Sequence, residues 1–167
     1  MSDDARQEVA REMGMGSVKY MDLSQNPQSI VTFSWDKAIT LEGNSCPYLQ
    51  YAHARICSVL DKYVDQFPDE DLRVWPLQLN DALERQLALK VVQFPEAVLK
   101  ATEAYSPNLL AEYLYELSRS YSGFHQNLPF LKAESGVRES RLRLCQSVAA
   151  VLKRGLSLLG IGAPERI

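Results

Sequence analysis

The sequence predicts a mainly α chain: a bundle of four or five helices, preceded by a short N-terminal α/β linker segment. Three observations carry that expectation. From residue 44 onward, apolar side chains recur every three or four positions, the spacing of one buried helix face. Prolines stand where helices would begin, at Pro47, Pro95 and Pro107, and proline is tolerated in a first turn because its missing N–H has no partner there anyway. One stretch, 29–35, alternates instead, with Val31, Phe33 and Trp35 on one side, which is a strand signal.

Residues 2–13 read as a short helix. Asp3 and Asp4 suit its positive N-terminal end, and Gly14 reads as its stop. Another short helical turn is expected over 16–24, and Asn26-Pro27 then breaks the chain. A strand at 29–35 needs a neighbour for its backbone groups. Either the chain is part of a larger protein, or a hairpin partner lies within 17–22.

The first bundle helix opens near Pro47, capped by Asn44 or Ser45, carries Leu49, Ala52, Ile56 and Tyr63 inward, and ends at Phe67-Pro68. An acidic, proline-bounded loop fills 68–77. Helices follow over about 80–93 and from Pro95 to about 104. Ser106-Pro107 opens the next, whose stripe is Leu110, Leu114, Leu117, Tyr121 and Phe124. The last runs over about 137–159, with Leu142, Cys145, Ala149, Leu152 and Leu156 on one face. Gly160 supplies the left-handed residue that ends it. Stripes of this kind, joined by short connections, cover one another in a bundle.

At 167 residues and 46% hydrophobic, the chain can bury a real core. Charged residues or proline interrupt every apolar run short of membrane-spanning length, and the acidic first residues lack a signal-peptide pattern. Cys46, Cys57 and Cys145 are widely spaced, with no Cys-x-x-Cys, and read as reduced thiols of a cytoplasmic protein. The net charge of −3 disfavours a nonspecific nucleic-acid binder. The charge is nevertheless uneven. Residues 132–167 hold seven cations against three acids, whereas 61–84 hold seven acids against Lys62 and Arg73.

Tyr51 and Arg55 are four apart, so they share a helix face. A phenol ring beside a guanidinium is a platform for an unstacked base, and such stacking contributes roughly 1–3 kcal/mol per base. A rim tyrosine beside an ion-paired arginine has the same spacing. His53 and Cys57, also four apart, make half of a metal site, and no third or fourth ligand is evident, so no metal is expected. His125 near a helix end is either a flat contact for a base or a cap. The tail from Ala163 to Ile167 is stiffened by Pro164 and closes on an apolar residue, which points to docking on the bundle or on a ligand. No nucleophile elbow, P-loop or dinucleotide loop occurs, and no catalytic residue is expected.

A set of ordered segments resembles the C-terminal part of arginyl-tRNA synthetases, class I aminoacyl-tRNA synthetases. They are GSVKYMDLSQNP at 16–27, FSWDK at 33–37, EGNSCPYLQYAHAR at 42–55, QFPE at 93–96 and YLYEL at 113–117. SRLRLC at 140–145, GLSLLGI at 155–161 and PER at 164–166 complete the set. The resemblance implies that 1–41 is the end of a catalytic domain or a connecting segment, and that 42–167 is an all-α bundle of the class I anticodon-binding type. It implies tRNA(Arg), through its anticodon stem-loop, as partner, together with the missing catalytic domain of the same chain and no membrane. ATP and magnesium would belong to that missing domain, so the chain alone would hold no cofactor and would not aminoacylate.

By the same resemblance, Tyr51 and Arg55 fall on anticodon contacts. His125 stands where relatives often have tyrosine, and Ile167 where they usually end in methionine. Arginine anticodons share a middle cytosine, and a pocket for it is expected between Tyr51, Arg55 and Ile167. Arg138, Arg141, Lys153 and Arg154 are candidate phosphate contacts. Cysteinyl and methionyl synthetases carry related bundles, and a helical protein-binding adaptor suits the net acidity; these are the rival readings.

Overall fold

The computed structural model describes residues 2–167. Seven α-helices account for its regular structure: α1 (Asp3–Leu23), α2 (Trp35–Ala38), α3 (Cys46–Gln66), α4 (Ala82–Val92), α5 (Phe94–Glu103), α6 (Pro107–Asn127) and α7 (Val137–Leu158). A single 3-10 turn, Leu72–Val74, lies in the loop before α4.

Helices α3, α6 and α7 form the centre. Leu49 and Ile56 of α3, Leu114 and Leu117 of α6, and Leu142, Leu152 and Leu156 of α7 are wholly buried against one another. Helices α4 and α5 pack on α6, and α1 packs on α3. Helices α6 and α7 approach closely at Gly155. A Cβ there would sit 2.4 Å from Leu114 Cδ2, so glycine is what lets α6 and α7 come together.

Several helix starts have identifiable side-chain partners, whereas α2, α5 and α6 have no side-chain cap. The Ser45 hydroxyl accepts the Tyr48 N–H at 3.3 Å, with Pro47 in the first turn of α3. Asp81 and Glu84 make a reciprocal capping box on α4. The Glu139 carboxylate takes the Gly136 N–H at 2.6 Å at the start of α7. The acidic loop is tied to α7: Ser140 exchanges hydrogen bonds with both the N–H and the C=O of Gln78, and Arg143 donates to the Trp75 carbonyl.

Two local expectations fail at the N-terminal end. Helix α1 runs unbroken through Gly14 and Gly16 rather than stopping at residue 13. Gly16 serves packing: a Cβ there would stand 2.8 Å from Cys46 Sγ and 3.1 Å from Ile161 Cγ2. A glycine weakens a helix by only about 1 kcal/mol, and burial of Tyr20, with its hydroxyl donating to Asn44 Oδ1 and the Ala111 carbonyl, outweighs that. The second failure is the strand. Among the described residues there is none, and 17–22, the proposed hairpin partner, is helix. Residues 28–34 are irregular, α2 begins at Trp35, and Ile30, Val31, Phe33 and Trp35 are exposed. With no neighbouring strand, alternation alone does not make one.

The tight α6–α7 crossing gives a direct test. Gly155→Ala is expected to lower stability by about 1–3 kcal/mol, because Leu114 is fully enclosed and its methyls have nowhere to move. Urea unfolding followed by circular dichroism measures it.

Candidate nucleic-acid interface

Tyr51 and Arg55 lie one turn apart on α3, beside the buried stripe rather than in it; Tyr51 is 46% exposed. Among the described residues, Arg55 makes no ion pair within 4 Å. Its guanidinium therefore stands beside an accessible phenol with its donors available. Ala54, Ser58, Asp61 and Lys62 continue this wall along α3.

The opposite wall is the tail. Helix α7 ends in a Schellman turn: Gly160 adopts φ +68°, the Ile161 N–H donates to the Leu156 carbonyl at 2.9 Å, and the Gly160 N–H to Ser157 at 3.0 Å. The chain then turns back along α1 and α3. Ile161 and Pro164 are buried. Three carbonyls are held by side chains of other helices. Lys19 Nζ donates to Gly160 O at 2.5 Å, Gln50 Nε2 to Gly162 O at 2.9 Å, and His53 Nδ1 lies 3.0 Å from Pro164 O. Glu165, Arg166 and Ile167 thereby face Tyr51 and Arg55 across an open cleft of about 590 Å³. Exposed ion pairs, Lys153 with Glu165 and Arg166 with Asp61, sit at its rim. At such exposure they contribute little.

The structure thus brings together Tyr51, Arg55 and Ile167, which are far apart in sequence. His125 does not line the cleft. Its ring is half-buried at the end of α6 against Tyr121 and Phe130. It is near Arg55, however: burial pushes the imidazole below its ordinary value of 6.5, and the Arg55 charge adds to that.

The four candidate phosphate contacts divide in two. Arg138 is only 13% exposed, pairs with Glu139 at 2.6 Å and lies 4.0 Å over the Phe67 ring. Arg141, 12% exposed, pairs with buried Glu84 at 2.7 Å and donates to the Pro129 carbonyl at 2.8 Å. Both guanidinium groups are mostly buried and committed to carboxylates that would be costly to leave unpaired. Lys153 and Arg154 are exposed on α7, and Lys153 reaches the cleft wall through Glu165.

His53 is enclosed beneath the tail. It is 2% exposed and its Nδ1 is directed at the tail, with Cys57 Sγ 3.8 Å from Nε2. Among the described residues no cluster of three metal-ligating side chains forms. Sequence reasoning missed the role of Lys19, Gln50 and His53 as holders of the tail. The available signal was in the tail itself. Residues 160–164, Gly-Ile-Gly-Ala-Pro, have no polar side chain, so a docked tail has to be held through its backbone.

The family model described as the DALR anticodon binding domain matches residues 49–167. The chain is 41% identical over its full length to an arginine–tRNA ligase of Proteus mirabilis, of which it covers 29%. In structure it resembles Thermus thermophilus arginyl-tRNA synthetase with a TM-score of 0.85 and 36% identity, over 96% of this chain and 27% of that one. The Plasmodium falciparum enzyme gives a TM-score of 0.85 at 27% identity, over 96% and 28%. The chain therefore spans less than a third of the length of these relatives, and corresponds to their anticodon-binding part rather than to the whole.

Burial also pushes His53 below its ordinary 6.5, more than the Pro164 carbonyl raises it; Lys153 lowers it further and Glu165 opposes. For both histidines the folded state favours the neutral ring. Their stabilisation is fully present above pH 6.5 and is lost as pH falls through the lowered folded values. The urea midpoint is expected to be lower at pH 5 than at pH 7.5, with a smaller difference in His53→Asn.

Proposed function

The chain belongs to the DALR anticodon-binding domain family, and on that premise we propose that its cleft receives an unstacked base from the anticodon loop of tRNA(Arg). The carrying observation is the convergence of Tyr51, Arg55 and Ile167 on one open cleft. Each wall supplies a different interaction. The Tyr51 ring offers a face for stacking, Arg55 offers unpaired donors in a fixed fork, and Ile167 offers an apolar edge. A cytosine has carbonyl and ring-nitrogen acceptors that suit a guanidinium, and the middle anticodon base of arginine tRNAs is the cytosine this site would read. His125, close enough to Arg55 to feel its charge, and the exposed Lys153 and Arg154, which would meet flanking phosphates, complete the reading.

In this reading the chain is the anticodon-binding part of a longer arginine–tRNA ligase. Activation of arginine with ATP and magnesium belongs to a catalytic domain outside these residues, as the length of the relatives supports. Met15, Val18, Phe33, Trp35, Ile39 and Leu41 are exposed on α1, α2 and their flanks, an apolar surface suited to covering by that domain. No helix of the described residues is long and apolar enough to cross a membrane, and a tRNA partner is compatible with a cytoplasmic location.

Fluorescence titration of an arginine-tRNA anticodon stem-loop at fixed salt tests the proposal. The wild-type chain should prefer the middle-cytosine loop over a middle-base variant. Tyr51→Ala should weaken binding by about tenfold, the scale of one lost base stack. Equal affinity for the two loops removes base reading, and an unchanged Tyr51→Ala removes Tyr51 from the site. Separately, Arg154→Ala should reduce the salt slope by about 0.7–0.9, whereas Arg141→Ala should lower stability without that signature.

A further inference from the structure

The two walls of the cleft differ in how they are held. Tyr51 and Arg55 stand on a helix. Glu165, Arg166 and Ile167 are in irregular chain beyond α7 and are exposed. What fixes that second wall lies just before it. The carbonyls of Gly160, Gly162 and Pro164, alternate residues of the tail, meet Lys19, Gln50 and His53. Gln50 and His53 are buried and belong to α3, the helix that carries Tyr51 and Arg55 on its adjoining face. One helix therefore sets both sides of the cleft, and the distance from the Tyr51 ring to Ile167 depends on where Gln50 and His53 seat the tail. The exposed rim pairs are weaker by comparison.

We propose that Gln50 and His53 are positioning residues for base binding: they touch no nucleotide, and they fix the tail wall against which the base is held. This rests on the reading of the cleft as an anticodon-base site. The chemistry is specific to a donor at one place. His Nδ1 and Asn Nδ2 are equally distant along the side chain, so asparagine keeps the bond to Pro164 and leucine removes it.

The test uses the full chain, with stem-loop titration at fixed salt and amide hydrogen exchange of 161–167 without RNA. His53→Leu should raise Kd by roughly tenfold, about the effect of one buried hydrogen bond, with faster exchange confined to the tail. His53→Asn should restore both to within about twofold. The salt slope should not change, because no cation is lost. Should His53→Leu fail to fold by circular dichroism, Gln50→Met decides, keeping length and removing the donor to Gly162. Wild-type affinity in the donor-less variant, unaltered tail exchange, or an asparagine variant as weak as leucine each overturns the positioning role. If the wild-type chain binds no stem-loop, the base-site reading fails and this role falls with it. Intact wild-type binding with an unaffected His53→Leu removes this role alone.

Discussion

The structure depends on how α3 is used. Its stripe of Leu49, Ala52, Ile56 and Tyr63 is buried in the bundle. A second side holds Tyr51 and Arg55 to solvent, and a third, through Gln50 and His53, grips the tail. A helix turns 100° per residue, so a run as short as 49–55 addresses three directions with no change in backbone. The cleft is thus built from a rigid element and from a chain docked directly to that element, which keeps the tolerance between the walls small.

Charge is arranged with the same economy. The excess of cations after residue 132 is not a uniform basic face. Arg138 and Arg141 neutralise Glu139 and Glu84, two carboxylates that help cap α7 and α4 and are nearly inaccessible. Arg143 secures the acidic loop at Trp75. The outward cations of α7 that remain, Lys153 and Arg154, lie towards its C-terminal end, where the tail departs. A chain with net charge −3 can in this way hold a localised positive region without a general attraction for phosphate.

The bundle was legible because its signal is periodic: the stripe from Leu110 to Phe124 is entirely buried, and Gly160 does take the left-handed turn. The N-terminal end was not. Gly14 and Gly16 look like stops unless one knows that Cys46 and Ile161 press against the helix, and Val31, Phe33 and Trp35 alternate without a partner strand. At the cleft, Tyr51 and Arg55 could be placed together by helical spacing, and the stiff apolar tail suggested docking. The holders of that tail left no trace, since a bond to a backbone carbonyl has no counterpart in residue type. The inward turn of Arg141 was equally hidden, because Glu84 is 57 residues away.

Helix α1 lies outside the span matched by the family model, yet Gly16 abuts Ile161 and Lys19 holds Gly160. Anyone trimming the protein to its recognisable family core would strip this cover. Ile161 would become wet, Tyr20 would no longer bridge to Ala111, and the tail would lose one of its anchors. The packed unit is accordingly larger than the span of the family model, and its extra piece is the helix that anchors the start of the tail.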